Sequence, residues 1–452
     1  MSTSPRLALI VVLACVIAAG AAGAGAAPAS AGAGPGAFVW TALLDPTAGG
    51  DDLYLCARGP AATVYACGTQ GRPAAIDIWL VKYTAAGVQS WSRVWAGPDG
   101  LVDNAEGMAV DAAGNVFVCG ATERSLNATD SLLLKYDASG VLQWAKTYDP
   151  EGLSDGASAI GLDAAGNIYV AGWSEKTGAT RDVYTAKFRS ADGERLWTSW
   201  YDSAAYDHAW GIAVTGAGVS YMIGESYAAN GLPDALLVKT TATGHLAWAK
   251  RWNGPANRCD DWEAVALSRS GSVCVAGSTD YLGASDIVAA RYSSTGKRLW
   301  LRTWGSEGGQ RDYAKDLAVD GDGNAWVAGS TELGDGAMKT ALVRWNAAGA
   351  GRFVRVIGSV TTTADLSAVT VDAQGNAFVA GTLFTVGGGW DLLAAKYTAS
   401  GKRSWRSTWG YGAGSDDLLG NVVLGGPGAL YGCGTVGWNM ADTRGVLVKI
   451  RR

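Results

Sequence analysis

The chain has 452 residues, of which 41 are acidic and 36 are basic, so its formal net charge is −5 at pH 7. A mildly acidic chain without a basic run lacks the electrostatic footprint of a nucleic-acid-binding protein. Its aromatic residues are mainly Trp (20) and Tyr (17). Rings with a polar edge suit positions that are half buried and half in contact with water.

Residues 1–31 have the pattern of a secretory signal peptide. Arg6 precedes an apolar run, and the small-residue stretch that follows ends at 29–31 in Ala-Ser-Ala, an A-x-A cleavage pattern. We therefore expect a secreted, extracellular protein whose mature chain, residues 32–452, forms one propeller domain. A cell-surface lipoprotein that uses Cys15 is the alternative. No later stretch is long and apolar enough to predict a membrane span.

One glycine recurs through the mature chain at intervals of 52 or 53 residues. The eight positions are Gly68, Gly120, Gly172, Gly224, Gly277, Gly329, Gly381 and Gly434. Similar phrases surround several of them, such as VDAAGNVFVCGAT (110–122) and VDAQGNAFVAGTL (371–383). A period of this length indicates one supersecondary unit copied eight times and stacked into one body.

Each copy predicts four short strands, and the second copy shows them clearly. Apolar alternation at 108–110 predicts the first strand, and the Asp-Gly-Asn turn at 111–115 leads into a second strand at 116–119. The third strand spans 130–136, and a further turn leads to a fourth strand marked by Trp144. No helix pattern competes with these strands in the mature chain.

The aromatic of the fourth strand occurs seven times for eight copies. These residues are Trp91, Trp144, Trp197, Trp248, Trp300, Phe353 and Trp405. The eighth copy stops at 449–452, before a fourth strand, and the segment 37–43 with Trp40 precedes the first copy. We predict an all-β fold, an eight-bladed β-propeller of four-stranded blades in which the N-terminal strand completes blade 8. Such closure removes exposed sheet edges.

The repeat resembles the bacterial β-propeller repeat family called SBBP. The resemblance rests on phrases such as DNAEGMAVDAAGNVFVCGAT (103–122) followed by DSLLLKYDASGVLQW (130–144), and it covers nearly the whole mature chain. It implies a secreted or surface propeller and assigns no particular activity. Copies 1, 4 and 8 depart furthest from the shared pattern.

Charged residues repeat with the blades. A base ends every third strand, an Asp stands five residues before it in six copies, and another Asp precedes most first strands. We interpret the base–Asp pairs as structural rather than as an anion-binding ring, because what every repeat shares is usually what folding needs. Both sets of Asp are predicted on one face. Turn and strand-start hydrogen bonds explain most of them, and calcium bound by these carboxylates is the alternative. We predict no other cofactor and leave any metal ligands unassigned.

No residue is assigned a catalytic role. His208 follows Asp207 in a loop between blades, but no G-x-S-x-G elbow accompanies it. Glu106 and Glu263 both lie fourteen residues before the recurring glycine, in blades 2 and 5. We expect them to be too far apart for a glycosidase carboxylate pair.

The candidate ligand-binding residues are those at which the copies differ. They lie on the face that carries the second-to-third-strand loops and the loops between blades. The centre of the predicted site is formed by Trp210, Trp262, Glu106 and Glu263, and the remaining candidates are Tyr313, Trp173, Trp390 and Trp438. Indole rings stack on sugars and peptides while carboxylates accept hydroxyl groups. The alternative is that these rings pack between blades.

We therefore expect a non-catalytic, monomeric module that binds a glycan, a peptide or a cell-surface protein. Two alternatives stay open: a propeller enzyme, either a polysaccharide lyase or hydrolase or a quinoprotein, and a structural module of the cell envelope. Cys67, Cys119 and Cys433 alternate with alanine in other copies, so we predict buried thiols without disulfide partners. For Cys56, Cys259 and Cys274, a free thiol and a disulfide both stay open.

Overall fold

In a computed structural model, 32 strands form eight separate four-stranded antiparallel sheets. The structure describes residues 34–452 apart from 45–49, 73–74, 126–127, 151, 178–179, 281–282, 335, 359–361, 386–387, 413 and 438–442. The predicted signal peptide and Cys15 therefore lie outside the described residues. Within this part of the chain, no helix is long and apolar enough to cross a membrane.

The first four blades each follow the chain in order. Blade 1 contains β2 (Asp51–Arg58), β3 (Val64–Arg72), β4 (Ala75–Tyr83) and β5 (Gln89–Trp95), with a 3-10 turn at Pro60–Ala62. Blade 2 contains β6 (Asp103–Val110), β7 (Val116–Ser125), β8 (Ala128–Tyr136) and β9 (Leu142–Tyr148). Blade 3 contains β10 (Asp155–Leu162), β11 (Ile168–Lys176), β12 (Thr180–Phe188) and β13 (Arg195–Tyr201). Blade 4 contains β14 (Asp207–Val214), β15 (Ser220–Tyr227), β16 (Pro233–Thr240) and β17 (Leu246–Trp252).

The remaining blades repeat this plan, and the last one borrows a strand. Blade 5 contains β18 (Ala264–Leu267), β19 (Val273–Thr279), β20 (Asp286–Tyr292) and β21 (Arg298–Trp304). Blade 6 contains β22 (Asp312–Val319), β23 (Ala325–Glu332), β24 (Met338–Trp345) and β25 (Phe353–Ile357). Blade 7 contains β26 (Thr362–Val371), β27 (Ala377–Thr385), β28 (Gly389–Tyr397) and β29 (Arg403–Trp409). Blade 8 contains β30 (Leu418–Leu424), β31 (Ala429–Val436), β32 (Arg444–Arg451) and β1 (Phe38–Leu44).

The N-terminal strand closes the ring as predicted. β1 pairs antiparallel with β32, with Thr41 opposite Val448. Each first strand contacts the first strand of the next blade, and β2 of blade 1 contacts β30 of blade 8. The first strands therefore surround the central axis and the fourth strands form the rim. The predicted eight-bladed propeller, including its closure by the N-terminal strand, is confirmed.

Neighbouring blades are joined at the rim by a repeated hydrogen-bond pattern. In blade 1, Trp91 Nε1 and Lys82 Nζ both donate to the carbonyl oxygen of Ala138 in the last turn of blade 2, at 3.2 and 2.7 Å. In blade 5, Trp300 and Arg291 share the carbonyl oxygen of Ala347 in the same way. The base that ends the third strand thus has a structural role in these copies, and its partner is a backbone carbonyl of the next blade.

Apolar clusters fill the junctions between blades. The first such cluster joins blades 7 and 8 through buried side chains that include Phe38, Phe378 and Leu419. Six cysteines lie in the described part of the chain, and all six are buried and outside disulfides. Burial raises the pKa of the Cys67 thiol well above its usual range. The prediction that Cys67, Cys119 and Cys433 are buried thiols agrees with this arrangement.

Candidate functional site

The position at which the copies differ most is a β-bulge. In blade 2, the register of β6 against β7 shifts between Ala105 and Gly107, so Glu106 is the extra residue. A bulge bends a strand and re-aims its side chain. The same shift occurs in six other blades, whereas Glu263 of blade 5 precedes the short strand β18. The bulged residues around the axis are Tyr54, Glu106, Ser158, Trp210, Lys315, Ser367 and Gly420.

The structure does not assemble the site centre that the sequence predicted. Glu106 and Glu263 lie three blades apart. The Glu106 side chain keeps contact with solvent at the mouth of the ring, but the protein atoms that crowd around it partly desolvate its carboxyl and raise its pKa to about 7. Trp262 has no exposed surface and stacks on Trp252, with ring centroids 5.5 Å apart. It belongs to the packing between blades 4 and 5, so it presents no ring to a ligand.

Two of the predicted rings, Trp173 and Trp210, do come together. The His208 ring lies between them, 3.9 Å from Trp210 and 5.9 Å from Trp173 by centroid distance. We call these three residues together with Arg181 the stacked column. They come from blades 3 and 4 and from the predicted face, because they stand at the end of β11, the start of β12 and the start of β14.

Arg181 holds the column together. Its guanidinium lies 3.6 Å from the centroid of Trp173 and 4.6 Å from that of Tyr206. Its Nη1 lies 3.0 Å from Nδ1 of His208, and its Nη2 lies 3.1 Å from the carboxylate of Glu175. A guanidinium that is covered by two rings and bonded at both ends is a structural tie, since these bonds use its terminal nitrogens.

The contact with Arg181 fixes the state of His208. A guanidinium can only donate, so Nδ1 must accept and the ring proton of the neutral imidazole is on Nε2. Burial, assisted by the charge of Arg181, lowers the pKa of His208 to about 3. The imidazole is therefore neutral near pH 7. It can donate a hydrogen bond from Nε2, but its lone pair is already in use.

The other predicted aromatics lie elsewhere on the ring. Tyr313 is half-buried in β22 of blade 6, opposite Ser330 of β23. Trp390 packs against Phe384 in blade 7, with ring centroids 5.4 Å apart. Trp438 lies outside the described residues. The seven predicted residues that the structure describes thus form no single site, and among them only Trp173 and Trp210 share a cluster.

An open groove of about 630 Å³ lies between blades 2 and 3, on the outer part of the structure. We call it the blade 2–3 groove, and its lining combines rings with both signs of charge. The lining residues are Thr147, Tyr148, Asp149, Pro150, Lys176, Asp182, Arg195, Trp200 and Asp202. Such a concave surface with convergent polar groups is the usual form of a ligand site.

The two rings of the groove, Tyr148 and Trp200, are held in place by a buried ring and by two basic side chains. Buried Tyr184 makes edge-on contacts with Tyr148 and Trp200, at centroid distances of 5.5 and 5.4 Å. Lys176 Nζ lies 4.5 Å from the Trp200 centroid, and the Arg195 guanidinium lies 4.4 Å from the Tyr148 centroid. These contacts fix the rings before any ligand arrives, which lowers the entropy lost on binding.

The groove and the stacked column flank the same hairpin. At the tip of β11–β12, Lys176 and Asp182 line the groove, whereas their neighbours Glu175 and Arg181 belong to the contacts of the stacked column. Successive side chains of a strand point to opposite faces, so the alternation places one pair on each side. Blade 3 therefore carries the two clusters on opposite sides of one hairpin.

Sequence reasoning missed the groove, although one signal for it was present. Three residues after the fourth-strand aromatic, the copies hold Val94, Thr147, Trp200, Arg251, Thr303, Val356 and Thr408. Trp200 is the one ring in this set and breaks the repeat as strongly as Trp210 does. It was missed because only loops and first strands were considered as ligand-facing.

No known protein family matches the sequence, and no curated protein is similar to it. Two solved structures of an ulvan lyase, a polysaccharide lyase, resemble the chain in fold. One, bound to -[GlcA(1-4)Rha3S]-, is 12% identical with a TM-score of 0.50, and the match covers 86% of this chain and 90% of that chain. The other is 12% identical with a TM-score of 0.51, covering 89% and 94%. At this identity the likeness shows the fold alone.

Proposed function

We propose that the protein is a secreted, non-catalytic propeller that binds a glycan in the blade 2–3 groove. The observation that carries the proposal is the pair of preorganised rings, Tyr148 and Trp200, at an open groove rich in charged side chains. A ring face takes the C–H face of a sugar, and carboxylates and ammonium groups take its hydroxyls. Both halves of such recognition are present in this groove.

The lining favours a glycan over a peptide. The nine lining residues given above include no Leu, Ile, Val, Met or Phe, so the groove offers no aliphatic pocket for a peptide side chain. Its charges also favour a neutral glycan over a polyanion. Three aspartates face one lysine and one arginine, and Lys176 is already 3.8 Å from the carboxylate of Asp182.

A lyase is the alternative that the similar solved structures suggest, and the geometry of the stacked column argues against it. Elimination needs a base within hydrogen-bond reach of the proton that it removes. The lone pair of His208 already accepts a hydrogen bond from Arg181. Burial raises the pKa of the nearby Tyr227 to about 12, so this tyrosine does not form the phenolate that could act as a base near pH 7. We therefore favour binding without cleavage.

The test is a glycan array with the purified protein, followed by calorimetric titration of each polysaccharide that binds. We expect neutral polysaccharides to bind and to stay intact when the ultraviolet absorbance of unsaturated products is followed. Trp200→Ala should bind more weakly while its circular-dichroism melting temperature stays near that of the wild type. Binding confined to peptides, or the release of unsaturated sugars, would overturn the proposal.

A further inference from the structure

The aspartate at the start of the first strand has a clear structural role in most blades. Its carboxylate accepts a hydrogen bond from the backbone N–H of the loop that enters the blade. The donors are the amides of Gly97 for Asp103, Ser203 for Asp207, Gly254 for Asp260, Ser306 for Asp312 and Tyr411 for Asp417, at 2.6–3.1 Å. Loop capping therefore accounts for five of these carboxylates without a ligand.

Asp155 of blade 3 departs from this pattern. It has no exposed surface, and neither of its carboxylate oxygens makes a hydrogen bond of normal geometry within the described part of the chain. The residue six positions earlier, where four of the other loops place the donating amide, is Asp149. A buried carboxylate without a well-formed hydrogen bond is costly, so a compensating positive charge is expected beside it.

Two further carboxylates converge on Asp155. One oxygen from each of Asp130, Asp149 and Asp155 lies within 4.8 Å of the others. Oxygens that ligate one Ca²⁺ at about 2.4 Å can be at most about 4.8 Å apart, so the cluster already has the right size. The three acids come from the start of β8, the end of β9 and the start of β10, in two blades.

The charges of the cluster do not balance. Arg124 bonds Asp149 and lies 3.1 Å from Asp130, and its Nη2 donates to the carbonyl oxygen of Leu153. Three carboxylates and one guanidinium leave a formal charge of −2. One divalent cation neutralises that charge, and a bound water cannot.

We propose that Asp130, Asp149 and Asp155 bind one Ca²⁺ ion at the junction of blades 2 and 3. The carboxylates supply three hard oxygen ligands, and solvent reaches the exposed Asp149 to supply water ligands. The site joins two blades that are otherwise held by side-chain packing and by the rim hydrogen bonds. Calcium therefore stabilises the folded ring, and because Asp149 also lines the blade 2–3 groove, the ion lies beside the proposed glycan site.

Two other junctions show that this place in the fold accepts a positive charge. The residue five before the base of the third strand is Asp130 in blade 2, but it is Lys339 in blade 6 and Arg444 in blade 8. Lys339 is 1% exposed, and its Nζ donates to the carbonyl oxygen of Thr362 at 3.0 Å. Blades 6 and 8 therefore have a positively charged side chain at the position where blade 2 has an aspartate.

The test uses the purified protein after EDTA treatment, with no glycan present. Calorimetric titration with CaCl₂ should show one binding event per chain, and Ca²⁺ should raise the melting temperature of the wild type by mass action. Asp155→Asn should abolish both effects. Asp207→Asn is the matched control, because Asp207 holds the same position in blade 4 and caps Ser203. This variant should keep the calcium response.

The two variants also separate a cation site from a merely structural acid. In EDTA, Asp155→Asn should melt at or above the wild type, because the substitution removes an uncompensated buried charge. In Ca²⁺ the order should reverse. A wild type that does not respond to Ca²⁺, as expected if Asp149 and Asp155 share a proton instead, would overturn the proposal. So would an Asp155→Asn variant that responds like the wild type.

Discussion

The indole Nε1 of Trp40 donates to the carbonyl oxygen of Ala85 at 3.4 Å, although the two residues belong to blades 8 and 1. The same oxygen accepts from Lys449 Nζ at 2.6 Å. This pair of donors repeats the docking of Trp91 and Lys82 on blade 2 with strands from opposite ends of the chain. The Trp40 ring also covers Gly87, whose φ is +85°: a Cβ at this position would lie only 2.8 Å from Trp40 Cγ, so there is no room for a side chain.

Removing the N-terminal strand should therefore open the ring. Deletion of residues 32–44 exposes the edge of β32 and removes the buried side chains of Phe38 and Leu44. Each buried side chain of this size contributes about 1.5–3 kcal/mol, and the bare edge promotes aggregation.

Size-exclusion chromatography and thermal melting measure both effects. Trp91→Ala is the matched control, since it loses one docking ring inside the chain while every strand keeps its partner. This control should melt earlier and stay monomeric. A deletion variant that is monomeric and has the same melting temperature as the intact protein would contradict closure of the ring by β1.

Trp262 and Trp210 should respond differently to truncation. Trp262→Ala leaves a cavity in the junction of blades 4 and 5 and should cost about 3–5 kcal/mol of unfolding free energy. Trp210→Ala removes a half-buried ring at the mouth and should cost far less. Urea unfolding of both variants checks this order, and equal losses would show that Trp210 also belongs to the core.

His208 should make the protein less stable in acid. Its pKa is lowered to about 3 by burial and by Arg181, whereas in the unfolded chain it lies near 6.5. As the pH falls from 6.5 towards 3, the unfolded chain binds a proton that the folded chain does not, so the unfolding free energy decreases. Between about pH 6.5 and pH 5 this amounts to about 2 kcal/mol.

His208→Gln removes the titrating group and keeps an acceptor for Arg181. Urea unfolding at several pH values should show a smaller loss of stability for this variant on acidification than for the wild type. The same pH dependence in both proteins would mean that His208 is protonated in the folded state.

The six described cysteines should be unreactive in the folded protein. All are buried, and burial raises the pKa of the Cys274 thiol to about 11, which removes the reactive thiolate. Iodoacetamide should modify none of them before unfolding and all six afterwards, as counted by mass spectrometry. A disulfide such as Cys67–Cys119 in the unreduced protein would contradict the structure.

The fold could be predicted because the same features recur in the copies. The recurring glycine, the turn after the first strand and the fourth-strand aromatic, such as Trp144, together specify one blade. The eighth copy lacks the fourth-strand aromatic, which predicts that the segment around Trp40 closes the ring. The repeat also contains part of the docking, since the ring and the base of blades 1, 4, 5 and 8 share one carbonyl oxygen of the next blade in the same way.

The site was harder to predict, because a break in the repeat does not say which way a side chain points. Trp262 and Trp210 both break the repeat, yet the first strand of blade 5 begins only at Ala264, and Trp262 turns into the core. Trp200 alone signals the groove in the sequence, because the rest of its lining spans residues 147–202 and two blades and meets only in three dimensions.

Glycan binding in the blade 2–3 groove depends on the Trp200 ring, so the affinity of Trp200→Ala is the decisive measurement. Calorimetric titration with a polysaccharide that binds the wild type should show a loss of about tenfold to a hundredfold, or about 1.4–2.8 kcal/mol. Trp210→Ala, which alters the mouth and leaves the groove intact, should bind like the wild type. If Trp200→Ala binds with unchanged affinity while Trp210→Ala does not, the ligand lies at the mouth and not in the groove.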